Sequence, residues 1–236
     1  MDDRMPLGGQ ADVIPAVPIR PKTVAFGLFA VVIGLIALSV AGQILRLKFG
    51  HDTLKGLIPF VYVDYEANLP TWYSSFALFI TALAAGLIAA AKQLAGDRYS
   101  LYWAVMSLGF LYLSLDEMGQ VHEMIGRMIP QHWYAVALPA VAIFGLVYLK
   151  FLFSLPARTR TLLIVAGAIF LTGAVGFEMI ENHHREVAGK EDAGWVVIVT
   201  IEECLEMTGV VIALYGLLDY LERHIQIVRL QFGGPT

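Results

Sequence analysis

Residues 110–127 read Phe-Leu-Tyr-Leu-Ser-Leu-Asp-Glu-Met-Gly-Gln-Val-His-Glu-Met-Ile-Gly-Arg. The stretch opens as an apolar helix. It then becomes polar without a clear turn signal, at Asp116, Glu117, His122 and Glu123. Two later apolar segments do the same. One runs into Glu178, Glu181, His183 and His184, and the other starts at Trp195 and meets Glu202, Glu203 and Glu206. An ionisable group inside a membrane helix is costly and by default marks a functional site.

The rest of the chain supports the membrane reading. Of 236 residues, 58% are hydrophobic and 15% are charged, which excludes an ordinary soluble domain. The net charge is −4 and there is no basic block, so nucleic acid is not a partner. A single cysteine, Cys204, excludes both an internal disulfide framework and a CxxC zinc site.

Residues 1–22 carry several prolines and few large apolar side chains, and read as a flexible tail. Residues 23–224 are expected to form one all-α domain, a polytopic membrane bundle, with 225–236 as a C-terminal tail. Six spans are predicted: Thr23–Leu45, Tyr73–Ala91, Leu101–Val121 continuing as helix to Met128, Trp133–Leu155, Thr161–Ile180 and Trp195–Leu221. Pro139 lies inside the fourth. The loop 46–72 is the longest and mixes Lys48, His51, Asp52, Lys55, Asp64 and Glu66 with an apolar run. Loops of this length are often functional, and its apolar run Leu57–Val63 reads as a short helix on the membrane surface.

Lys and Arg set the orientation. With the N-terminus inside, the inner side carries ten of them and the outer side six. This favours an N-in, C-in protein of the bacterial inner membrane, with Trp72, Trp133 and Trp195 at the periplasmic interface.

Span parity brings the clusters together whichever orientation is correct. Spans three and five run the same way and carry their charges at their C-terminal ends. Span six runs oppositely and carries them in its N-terminal half. At about 100° per residue, Asp116, Gln120 and Glu123 share a face, as do Glu178, Glu181 and Arg185, with His184 one step round. Glu202, Glu203 and Glu206 fall within an arc of roughly 100°. The three segments hold eight carboxyl groups against the fixed cations Arg127 and Arg185. Carboxylates crowded in low dielectric need protons, histidine partners or a bound cation. Glu and His at helical spacing make a divalent-metal site in a bundle core. Glu117, His122, Glu123, Glu181, His184, Glu203 and Glu206 are the expected metal ligands. Asp116, Glu178, Glu202 and Arg185 are expected to orient them.

Simpler roles compete for several of these residues. His183 reads as a surface residue. Met118, Met124, Met128, Met179 and Met207 read as gap-fillers before copper ligands. Cys204 reads as a packing residue, and Ser114 as a serine bonded to its own backbone before a nucleophile or hydroxyl ligand. Gly119, Gly173, Gly176 and Gly209 would let helices approach closely beside the site.

Leu-Ser-Leu-Asp-Glu with His122-Glu123, and Glu202-Glu203-x-x-Glu206-Met-x-Gly, resemble segments of a group of bacterial multi-pass membrane proteins of no assigned activity. Glu181-Asn182-His183-His184 is similar to the Glu-x-x-His half-motif of ferritin-like di-iron carboxylate proteins, including membrane-bound quinol oxidases. That likeness implies di-iron chemistry. Those proteins use the motif twice, whereas here Glu203-x-x-Glu206 has Glu where His belongs, leaving His122 to supply a nitrogen. Ser114, Asp116, His122, His183 and His184 also loosely resemble the residue types of membrane zinc hydrolases of the ceramidase type.

The expected function is a membrane-embedded, metal-dependent oxidoreductase acting on a lipophilic small molecule. Iron or manganese is favoured, with zinc or copper as alternatives. The competing readings are a proton or metal-ion transporter, a zinc-dependent lipid hydrolase, and a non-catalytic subunit that docks a membrane protein partner or a second copy.

Overall fold

The computed structural model describes residues 18–225 apart from 52, 122–123, 125–127, 129–133 and 190–191. Among them the chain is all helical. Seven helices follow in order: α1 (Pro21–Phe49), α2 (Leu57–Val61), α3 (Leu69–Leu94), α4 (Ser100–Gly119), α5 (Tyr134–Ser154), α6 (Ala157–Val187) and α7 (Ala193–Tyr220).

Three helices are long and apolar enough to cross a membrane: α1, α3 and α6. Of the other four, α2 has only five residues, and the remaining three differ for local reasons. The apolar part of α5, Leu138–Ser154, is shorter. α4 ends in Asp116 and Glu117, and α7 places three glutamates in the N-terminal half of its 28 residues.

The longest pairing is α3 with α4, and α7 is the axis against which α1, α3 and α6 also pack. Serines lock α3 to α4: Ser75 Oγ donates to Ser114 O at 2.8 Å, and Ser114 Oγ donates to Ser75 O at 2.9 Å. Ser114 therefore bonds the neighbouring helix rather than its own backbone. Gly209 brings α7 onto α6; a Cβ there would stand 2.8 Å from Phe170 Cβ and 3.0 Å from Ala166 O. At one end of the bundle Phe151 packs edge-on to Trp103 at 5.1 Å, inside a cluster with Leu214, Leu217 and Tyr220. At that end Arg158 and Arg223 both bind Asp219 at 2.9 Å.

Large apolar side chains also cover the outside. Trp72, Phe76, Phe79, Leu83 and Leu87 make a stripe on α3, and Leu101, Val105, Leu108, Tyr112 and Leu115 make one on α4. Both stripes follow the helical period. Exposed apolar surface of this extent marks a contact with lipid or protein.

Three expectations are corrected. α4 does not run unbroken to Met128. It stops at Gly119, where Gln120 turns left-handed at φ 54° and its N–H bonds Asp116 O at 2.7 Å. The face reckoned through Asp116, Gln120 and Glu123 presumed one straight helix. Trp195 is not an interfacial residue, being 1% exposed. Met118, Met124, Met128 and Met179 are exposed, and of the five only Met207 fills the core. His122, Glu123, Arg127 and Trp133 lie outside the described residues.

Candidate functional site: a carboxylate-walled cavity

A cavity of about 470 Å³ lies between α3, α4, α5, α6 and α7, beneath the α2–α3 loop. α4 contributes Asp116 and Glu117, α6 contributes Glu178 and Glu181, and α7 contributes Glu202, Glu203 and Glu206. The loop contributes Asp64 and Glu66, making nine carboxyl-bearing residues in the lining.

At the centre, Glu178, Glu181 and Glu202 each present a carboxylate oxygen, and the three atoms lie within 4.8 Å of one another. Glu202 is 6% exposed. Its Oε2 is buried and has no hydrogen-bond partner among the described residues. Glu202 also lies within hydrogen-bonding reach of Glu181. Two ionised carboxylates cannot hydrogen-bond each other, so the pair needs a shared proton or a cation.

Local features of α6 and α7 create this meeting. Residues Thr172–Phe177 form a π turn immediately before Glu178. Such turns widen the helix and often accompany functional sites. Within it, Gly173 lets α6 close on α7: a Cβ would stand 2.8 Å from Glu202 O and 2.9 Å from Glu206 Cγ. Gly176 and Gly119 make no such approach. Asn182 then fixes Glu178. It is buried, and its Nδ2 donates to Glu178 Oε1 at 2.8 Å and to Glu178 O at 2.9 Å. Arg185 in turn donates to Asn182 Oδ1. Arg185 thus acts on the cavity through Asn182.

His184 stands outside the cluster. Its Nε2 pairs with Asp192 Oδ1 at 2.9 Å. Asp192 also caps α7 by accepting from Trp195 N at 2.8 Å. The Trp195 N–H and then His184 hold the Asp192 carboxyl below its usual range. His183 is exposed, and Cys204 is free but does not line the cavity.

Asp64 and Glu66 did not emerge as ligands from sequence patterning. The signal was their place in the longest loop, on the same side as the three clusters. Several bonds hold that loop down. Val63 N donates to Ser39 Oγ at 3.2 Å, Trp195 Nε1 donates to Asp64 Oδ2 at 3.3 Å, and Asn68 Nδ2 donates to Tyr62 O at 2.6 Å. Asn68 Oδ1 also caps α3 by accepting from Thr71 N at 3.2 Å. Ala67, beside Glu66, holds φ 57°, a conformation that costs a non-glycine residue energy and needs surrounding bonds to persist.

Fold and site together define an all-helical bundle that encloses an acidic cavity at one end. The chain belongs to the family described as Domain of unknown function (DUF8692), whose model matches residues 25–221. No curated protein and no solved structure matches it.

Proposed function

We propose that the protein is a six-span enzyme of the bacterial inner membrane that holds a divalent cation between Glu178, Glu181 and Glu202. We take its activity to be metal-dependent oxidation or reduction of a lipophilic molecule. The observation that carries this reading is Glu202 Oε2: buried, unpartnered among the described residues, and grouped with two further carboxylate oxygens. A buried charge without compensation is strongly unfavourable, and a cation in this gap supplies the compensation.

The donor set fits a hard ion. Among the described residues the cavity lining offers carboxylates and no imidazole or thiolate. Oxygen ligands suit manganese, magnesium or calcium more than zinc or copper. The spacing fits as well: oxygens on opposite sides of a calcium-sized ion are about 4.6–5.2 Å apart. Bound iron or manganese would supply the redox chemistry. Glu203, Glu206, Glu117 and Asp64 line the same cavity and are placed to complete or balance the coordination.

A resident ion is favoured over transport by the apolar part of the cavity lining. Ala77, Leu78 and Val210, with Phe110, Leu113 and Phe170 against them, form an apolar layer. The Trp103–Phe151 cluster is also apolar. Metal analysis of protein purified without chelator tests the reading. Near-stoichiometric metal, lost in the Glu178→Gln plus Glu181→Gln variant, supports it. Substoichiometric metal unchanged by that variant removes it.

A further inference from the structure

The end of the bundle away from the cavity carries a second charged cluster. Its centre is Asp219, near the end of α7 and roughly 14 Å along the helix from Val210, the last cavity residue there. Arg158 Nε, from the start of α6, donates to Asp219 Oδ2 at 2.9 Å. Arg223 Nε, from the π turn Leu221–Ile225 that follows α7, donates to the same oxygen at 2.9 Å. The two guanidinium groups therefore stand side by side. Asp219 is buried, whereas the Arg158 and Arg223 side chains are 49% and 54% exposed. Arg158 Nη2 also donates to Tyr215 Oη at 2.6 Å. Guanidinium groups have more N–H donors than these bonds use. One carboxylate also leaves the pair of arginines with a net positive charge.

The surroundings add cations and hydrocarbon. Lys92, Arg98, Lys150 and Arg160 lie at the same end, with Asp97 and Glu222 as further carboxyls. Lys92 pairs with Asp97 at 3.0 Å and stands over the Tyr220 ring. Arg160 Cζ lies 5.4 Å from the centre of the Phe153 ring. Phe153 is exposed and shares the outer face of α5 with exposed Leu146 and Leu149, at helical spacing. A strip of apolar side chains that ends at a guanidinium follows the order of a lipid, hydrocarbon first and charge at the head.

We propose that Arg158 and Arg223, aligned by Asp219, bind the phosphate of an anionic phospholipid headgroup. Phosphate oxygens accept paired bonds from guanidinium groups, and arginine suits them better than lysine for that reason. A choline head would bring a second cation beside the two guanidinium groups and is disfavoured. The inference rests on the membrane reading of the chain and is independent of the cation in the cavity.

The test is native mass spectrometry of the full chain, titrated with phosphatidylglycerol and phosphatidylcholine of equal chain length. Phosphatidylglycerol is expected to bind roughly tenfold more tightly. Arg223→Gln leaves Arg158 on Asp219 and is expected to remove most of that preference. Arg158→Gln provides the second check should Arg223→Gln fail to fold. Lys48→Gln plus Lys55→Gln removes more charge, at exposed positions in the loop that follows α1, and is expected to keep the preference. Equal affinity for the two lipids overturns the proposal, as does a preference that survives both arginine substitutions. A preference lost equally in the lysine variant overturns it too, because it would show that overall charge alone matters. Inorganic phosphate in millimolar excess is expected to leave the lipid bound. Its displacement would assign the site to the free ion and overturn the lipid as its occupant.

Discussion

Asn182 Nδ2 donates to Glu178 Oε1 at 2.8 Å, one helical turn away on α6, and the Asn182 side chain is buried. The bond turns the Glu178 carboxylate toward Glu181 and Glu202 before any ion arrives. Partners that orient ligands are worth about 10–100-fold in metal affinity. Asn182→Leu should therefore weaken metal binding by about that factor. Asn182→Gln should recover part of it. Isothermal titration with Mn²⁺ checks both, and unchanged affinity in Asn182→Leu would show that Glu178 needs no support.

Gly173 is the position where α6 and α7 come closest beside the site. A methyl group there would stand 2.8 Å from Glu202 O, a backbone atom with little freedom to move. Overpacking of this kind costs about 1–3 kcal/mol. Gly173→Ala should lower thermal stability and metal content together. Gly167→Ala makes the matching control, since a Cβ there meets nothing within 4 Å. Equal effects from the two would contradict the close-approach account.

The loop carrying Asp64 and Glu66 depends on Asn68, which caps α3 with its oxygen and holds Tyr62 O with its nitrogen. Loss of the cap and one buried bond gives a cost of about 2 kcal/mol for Asn68→Ala. Asn68→Asp keeps the cap but loses the donors to Tyr62 and Pro59. It should stabilise α3 yet free the loop. Hydrogen exchange separates the effects: Asn68→Asp should speed exchange at residues 59–66 and spare 71–75.

Asp192 predicts a pH dependence. Its carboxyl is held below the usual range chiefly by the Trp195 N–H and then by His184. A carboxyl whose folded pKa is depressed adds stability above its unfolded pKa and loses it as pH falls through the folded value. Acidification below the ordinary carboxylate range should therefore loosen the start of α7 and the His184 contact. Asp192→Asn should be less stable than wild type near neutrality, and the two melting temperatures should converge at low pH. Parallel curves would show that the charge does not matter there.

Much of this arrangement was legible in the chain. The parity of the apolar segments placed the α4, α6 and α7 acids at one end, and the cavity draws on all three. What escaped was set by tertiary bonds. Glu178 and Glu202 read as supporting residues, yet they stand beside Glu181 because a π turn and Gly173 reset the register of α6 against α7. Neither feature has a period in the sequence. Asn182 carries no charge and so drew no notice among acids and histidines. His184 looked like a ligand by spacing, but Asp192, at the start of α7, pairs with it. An Asp just before an apolar helix is a cap signal that pointed there. The break at Gln120 had only Gly119 to announce it, and helical residues resume at Val121.

The central claim is that an ion occupies the gap faced by Glu202 Oε2. Mn²⁺ binding followed by electron paramagnetic resonance, in wild type and in Glu202→Gln, tests it most directly. Gln keeps the size and one oxygen but removes the charge. The account predicts one tightly held Mn²⁺ in the wild type and a loss of affinity of at least roughly tenfold in Glu202→Gln. Equal binding by the two proteins, or none by either, would contradict it.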